Sequence, residues 1–280
     1  MALHAFFIAA LFKSVESIYT IEKRRGSKMG EYIIHKDEKG ILHFIINRPE
    51  KRNAINYEIM DGLDKALKEC HVNSSVKAFV ITGSGEEAFC SGGDLSEFHR
   101  LKTEEESYEM LRHMGDILTR IAFLPKPTFA FINGTAIGGG CEIAASCDIR
   151  VARKGIKMGF VQGNLAITTG WGGGTLLHKR INSSRAISLL MEASLNEAEF
   201  LYEIGFINEL VGEKGDMRDL PLLKAVSTKT AGVLKAYKKQ QLNDWDRTVM
   251  EKNIESEIRE CSRLWALEEH HKAVDRFLAR

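Results

Sequence analysis

Two short apolar runs, VKAFVIT at Val76–Thr82 and PTFAFI at Pro127–Ile132, have the length and composition of strands buried on both faces. Helical patterns separate them. Before the first, residues 53–70 place Ile59, Leu63, Ala66 and Leu67 on one helical face. Between the two lies a helical stretch through Tyr108–Phe123, and after the second come a small-residue helix at Gly139–Ser146 and a strand at Ile149–Ala152. This alternation predicts an α/β core with parallel pairing. A hairpin precedes it at Tyr32–Asn47, turning around Glu38, Lys39 and Gly40 and ended by Arg48-Pro49.

Beyond Gly170 the chain turns helical, through Leu176–Met191 and Asn196–Tyr202, with one further strand at Ile207–Val211. The last sixty or so residues, Asp219–Arg280, are rich in Lys, Glu, Leu and Ala, and must hide Trp245, Leu264, Trp265 and Phe277 on their own core or on another subunit. The expected organisation is an extension at 1–28, an α/β core at 29–215 and a helical region at 216–280. The extension begins MALHAFFIAALF, which has no basic residue ahead of its apolar stretch, no clear A-x-A site and too little length to span a bilayer. It is read as a disordered tail or a mis-assigned start.

With 39 basic against 38 acidic residues the net charge is +1, so no global field draws the protein to nucleic acid or an anionic membrane. Any anionic ligand must be held locally. The five cysteines form no C-x-x-C pair and no Cys/His metal spacing, which fits free thiols in a reducing cytoplasm and no metal site.

Chemistry gathers in glycine loops. Gly83-Ser84-Gly85-Glu86-Glu87-Ala88 fits a loose dinucleotide loop, but the chain runs on into Phe89-Cys90-Ser91-Gly92-Gly93-Asp94 where a Rossmann helix should start, so nicotinamide binding is rejected. Gly138-Gly139-Gly140 sits between a strand and a helix, where backbone N–H groups and the helix dipole suit a negative oxygen; a tight packing turn explains it equally well. Taken together, AFCSGGD and GTAIGGGCE each follow a core strand, and adjacent parallel strands would bring two amides onto one carbonyl oxygen. Losing one donor from such an oxyanion hole costs about 2.7–4 kcal/mol of barrier.

RPEKRNAIN, AFCSGGDL, NGTAIGGGCEIAASCDIRVA and GWGGGTLL, in this order, resemble the signature segments of the enoyl-CoA hydratase/isomerase (crotonase) family from about Glu31 onward. The resemblance implies a spiral of β-β-α units with a C-terminal helical oligomerisation region, a homotrimer or dimer of trimers, an acyl-CoA thioester substrate, and no cofactor beyond the coenzyme A that is part of it. It implies that Gly93 and Gly139 donate the two N–H groups. Lys51, Arg52, Asn53 and Ala54, with Ser91 and Asp94, then belong to the substrate-binding segments. Glu142, in the first turn of its helix, is the implied proton carrier; read alone it is a helix cap.

Two-carboxylate hydratases of this family carry a second glutamate before GWGG, and counting back from Gly170 puts Gln162 in its place. Glutamine orients water but carries no proton, and losing a general acid/base costs about 10²–10⁴ in rate. Isomerisation or one-glutamate hydration of an enoyl-CoA is therefore the leading expectation, with decarboxylation or non-catalytic acyl-CoA binding as alternatives. A nucleophilic Cys90 or Ser91 lacks a His partner. His270-His271 reads as a solvated helix face. Among Glu97, Glu104, Glu105, Glu106 and Glu109, one is a candidate second acid, although a solvated face explains them all.

Overall fold

The computed structural model describes residues 30–217 and 220–279. The expectation for residues 1–28 lies outside the described residues. Two sheets organise the unit from Tyr32 onward. The larger joins β1 (Tyr32–Lys36), β2 (Ile41–Ile46), β3 (Ala78–Gly83), β5 (Thr128–Ile132), β7 (Ile149–Arg153) and β10 (Glu209–Val211) in that order. Only the β1/β2 hairpin is antiparallel. The smaller joins β4 (Ala88–Cys90), β6 (Thr135–Ile137), β8 (Lys157–Gly159) and β9 (Asn196–Glu197), the first three parallel.

Three strands of the large sheet, β3, β5 and β7, are each followed by one of the small sheet and then by a helix. β3 and β4 lead to α2 (Leu95–Phe98) and α3 (Glu104–Ala122), β5 and β6 to α4 (Gly139–Ser146), and β7 and β8 to α5 (Gly173–Arg180). This repeated β-β-α unit is the expected spiral. The sequence reading ran each glycine loop straight from its core strand, whereas the loops leave from β4 and β6. At three residues these strands are too short for a period-2 pattern to declare itself.

The large sheet is covered on both faces, as parallel strands require. In β3, Phe79 and Ile81 enter the main core with α1 (Tyr57–Val72) and α3, while Ala78 and Val80 face Leu220, Leu223 and Val226 of α8 (Pro221–Thr228) and its leading residue, and Leu234 of α9 (Ala231–Asn243). Lys238 of α9 reaches through to Asp148 and the Ala122 carbonyl, and Arg180 joins Asp148 at 3.7 Å. One charged cluster therefore ties the helical cover to the sheet.

The predicted helix at 53–70 starts later, because Asn56 caps it with its side chain on Ile59 N, and residues 49–51 form a 3-10 turn. The predicted helix at 176–191 is two helices, α5 and α6 (Ser183–Glu192), broken where Asn182 caps the second. The strand foreseen at 207–211 keeps only Glu209–Val211, and residues 196–202 divide between β9 and α7 (Ala198–Glu203).

Near the C-terminus, α10 (Arg247–Trp265) buries Met250, Ile254, Ile258, Cys261 and Trp265 at helical spacing in the same core as Met110, Leu111, Met114 and Leu118 of α3. Each such side chain contributes roughly 1.5–3 kcal/mol by leaving water. Trp265 Nε1 also donates to Leu101 O at 3.0 Å. The C-terminal tryptophans are therefore satisfied within the chain, while Phe277 of α11 (Glu268–Leu278) stays 53% exposed. No helix among the described residues is long and apolar enough to cross a membrane.

Candidate active site

The RPEKRN segment and the first glycine loop are laced together by backbone. Ser91 N donates to Arg52 O at 3.1 Å, Ile55 N to Gly92 O at 2.8 Å, and Asp94 N to Ile55 O at 2.8 Å. Two polar side chains hold this lacing. Asn53, fully buried, donates to Ser84 O and Ala88 O and accepts from Arg48 N. Asp94 caps α2 through Ser96 and accepts from Arg48 Nη2 at 2.8 Å, and burial alone would raise its carboxyl, but these hydrogen bonds hold it below the usual range.

The second loop packs directly on the first. Gly138, at φ +54°, anchors its N–H on Gly159 O, and α4 starts at the next residue. Gly92 has φ +96°, and a Cβ there would stand 3.2 Å from Ile137 O and 3.4 Å from Gly139 N. Neither Gly93 N–H nor Gly139 N–H is taken up by the chain among the described residues. The buried indole of Trp171 lies over both: a Cβ on Gly139 would overlap its six-membered ring, and one on Gly93 would touch it at 3.6 Å.

Glu142 is 2% exposed in the first turn of α4. One oxygen accepts from Gln162 Nε2 at 2.8 Å, and the other accepts from Trp171 N and Gly173 N, both at 2.9 Å. Burial, reinforced by the charge of Glu257, pushes its carboxyl up to about 7 despite these three bonds, which favour the ionised form. Glu257 comes from α10. It is partly buried and accepts from Gly174 N at 3.1 Å and from Thr175 N and Oγ1 at 2.7 Å. Burial raises its carboxyl too. The first three amides of α5, which have no partner within the helix, are thus divided between two glutamates from different parts of the chain.

Residues 36–280 match the family described as enoyl-CoA hydratase/isomerase. The chain belongs to that family. The short-chain-enoyl-CoA hydratase of Clostridium acetobutylicum is 35% identical over 185 residues, 66% of this chain and 70% of that relative. The ethylmalonyl-CoA decarboxylase of Xenopus laevis is 31% identical over 232 residues, 79% of this chain and 77% of that relative. In shape, the crystal structure of an enoyl-CoA hydratase from Bacillus halodurans aligns with a TM-score of 0.80 at 24% identity, covering 88% of this chain and 99% of that one. This last likeness establishes the fold.

Set in an enoyl-CoA hydratase/isomerase, the residues singled out from sequence fall into two groups. Gly93, Gly139, Glu142 and Gln162 come together around Trp171 and the Glu142 carboxylate. Lys51 and Arg52 are exposed, with Ser91 half-buried beside them and its Oγ 3.5 Å from Lys51 O. The Asn53 and Asp94 side chains are spent inside the protein, and Ala54 is buried with its carbonyl on Arg48 Nη1.

Other candidates stand apart. Glu106 closes a capping box with Thr103 at the start of α3, with Glu104 and Glu105 exposed beside it, and none of them joins Glu142. The thiol of Cys90 is buried and pushed up to about 12, which leaves it un-ionised at neutral pH. His270 corrects the solvated-face expectation: it is 2% exposed, lies against Trp265 and donates from Nδ1 to Leu165 O at 2.7 Å.

Sequence reasoning missed Glu257 and Trp171. A signal for the first exists, since Glu257 lies three residues after Ile254 and four before Cys261, on the buried stripe of its helix. For Trp171 the signal was a large aromatic in a glycine-rich turn.

Proposed function

We propose that this chain moves a proton on the acyl part of a CoA thioester, converting a 3-enoyl-CoA into the 2-enoyl-CoA. One observation carries the reading: the buried Glu142 carboxyl, which burial raises above the ordinary carboxylate range, stands beside two facing glycine loops whose Gly93 and Gly139 N–H groups the chain leaves unspent among the described residues. A general acid/base is most effective when its pKa lies near the working pH. The thioester oxygen accepts from the two amides as ionised Glu142 takes a proton from C2. The electron pair then spreads over the carbonyl and the C3–C4 bond as a dienolate. Glu142 returns the proton to C4, and the double bond stands at C2–C3.

This reaction needs one proton carrier and one is present, since Gln162 bonds Glu142 in the place where hydratases with two carboxylates hold their second acid. Lys51 and Arg52, exposed beside Ser91, suit the phosphates of the coenzyme, which enters as part of the substrate. The Asn53 and Asp94 side chains serve by positioning that edge.

The breadth of the alignment with an ethylmalonyl-CoA decarboxylase favours a second reading. There the C–C bond to a malonyl-type carboxylate breaks, carbon dioxide leaves, the two amides hold the enolate, and protonated Glu142 supplies the proton to C2.

Parallel assays on crotonyl-CoA, a 3-enoyl-CoA and ethylmalonyl-CoA, wild type beside Gln162→Glu, test both. Isomerisation with poor hydration, and hydration gained by the variant, supports the first reading. Release of carbon dioxide from ethylmalonyl-CoA with no isomerisation supports the second, and CoA-thioester binding without any turnover overturns both. We further infer a homotrimer or dimer of trimers, supported by the exposed Leu222, Val233 and Tyr237 on α8 and α9; light scattering that finds a monomer removes it. The five buried free thiols support a reducing, cytoplasmic setting.

A further inference from the structure

Two carboxylates meet at the start of α5, and among the described residues no cation pairs with either. Glu142 takes the Trp171 and Gly173 amides, and Glu257 takes the next two, Gly174 and Thr175, together with the Thr175 hydroxyl. Thr169 adds a second hydroxyl to Glu257.

The groups facing the pair from every side fail to neutralise it. From α4 comes Cys141, its thiol pushed up by burial and by Cys90 and Glu142, and from α10 comes Cys261, pushed up by burial and by both glutamates, so both are neutral. From α3, which packs on α10, Arg112 points to Asp116 and Glu255 instead. Among the described residues no Lys, Arg or His forms an ion pair with either glutamate. Among the described residues the positive contribution is the helix end, worth about half an elementary charge. Two ionised carboxylates would leave about one and a half negative charges uncompensated there, and a single added proton reduces this to about one half.

We propose that Glu257 is a positioning residue for Glu142: by gripping the amides of Gly174 and Thr175 it fixes the turn that holds Glu142, and the two carboxyls share one proton in the resting enzyme. The inference rests on the reading of Glu142 as the acid/base. It gives the chain a second carboxylate near the reacting one, in a place unlike that of Gln162, with a different task. Glu257 touches no substrate. Its charge keeps Glu142 protonated to a higher pH than burial alone achieves, and its bonds keep the Trp171 and Gly173 amides in line.

The test is the pH profile of kcat for the active thioester, in wild type, Glu142→Gln and Glu257→Gln, beside the infrared carbonyl band of protonated carboxyl groups at neutral pH. Glu257→Gln keeps an acceptor oxygen for the amides but removes the charge. The limb that reports ionisation of Glu142 is expected to move down by about one pH unit or more. Glu257→Ala, which also drops the grip on the turn, is expected to lower kcat further, with the glutamine variant as the rescue. Thr175→Val leaves both carboxyls in place, takes one donor from Glu257 and moves the limb the same way by less.

A limb that stays put in both Glu257→Gln and Thr175→Val, while Glu142→Gln is inactive, overturns the inference and leaves the acid/base reading standing. Full turnover by Glu142→Gln overturns that reading instead. The infrared band then decides the sharing by itself. A neutral-pH band that is lost in both Glu142→Gln and Glu257→Gln upholds it, and a band that survives in one of them, or is absent from wild type, refutes it.

Discussion

The glycine loops and helix α10 supply the same site in opposite ways. The loops offer backbone: two unspent amides, a positive-φ turn at Gly92 and room for the Trp171 ring, none of which depends on a side chain beyond the absence of one. Helix α10 offers a single carboxylate on an otherwise ordinary amphipathic helix, more than a hundred residues from Glu142. Backbone chemistry announces itself in sequence because only glycine permits it. A side chain brought in by tertiary packing looks like any other glutamate until the helix register is known.

Four substitutions or conditions sharpen this contrast, from the largest effect to the smallest. Glu142→Gln removes the proton carrier and is expected to lower kcat by about 10²–10⁴, with thioester binding by calorimetry retained. Gly139→Ala puts a methyl group into the Trp171 ring and displaces one amide, for an expected loss of about 10²–10³ in kcat at unchanged circular dichroism. If the alanine variant turns over normally, the loops do not contribute by backbone approach.

Ile254→Ala, on the buried stripe of α10, is expected to cost about 2–5 kcal/mol in urea unfolding, with kcat per folded enzyme close to wild type. A large fall in kcat there would mean that the whole helix, and not Glu257 alone, sets the site. The smallest effect is a pH dependence. The folded chain holds the Glu142 proton more tightly than the unfolded chain, so this group's stabilisation is complete below its ordinary value of 4.5 and is lost as pH rises through about 7. The thermal midpoint should fall between about pH 4.5 and pH 7, and fall less steeply in Glu142→Gln.

Much of the fold was legible because the buried strands of the large sheet are continuous apolar runs and the glycine loops punctuate them. The small sheet was not, since AFC, TAI and KMG are too short to carry a pattern and are strands only through their neighbours. At the site, Gly93, Gly139, Glu142 and Gln162 were singled out through the family resemblance of their segments, and the parallel pairing of β4, β6 and β8 brings those segments together. Asn53 and Asp94 were also singled out, but nothing in their spacing revealed that each side chain is consumed in bracing backbone. His270 misled for the mirror reason: beside His271 in a charged stretch it looks solvated, and only the helix turn that sets it against Trp265 hides it.

The chain order of the two glutamates has a consequence for how the molecule is made. Synthesis runs from the N-terminus, so both glycine loops, Glu142 and the turn at Trp171 exist before α10 has been translated. Until Glu257 arrives, the Gly174 and Thr175 amides lack their acceptor and the α3 face lacks its cover. A ribosome that stops before Arg247 therefore releases a chain holding every recognisable motif of its family and an unfinished site.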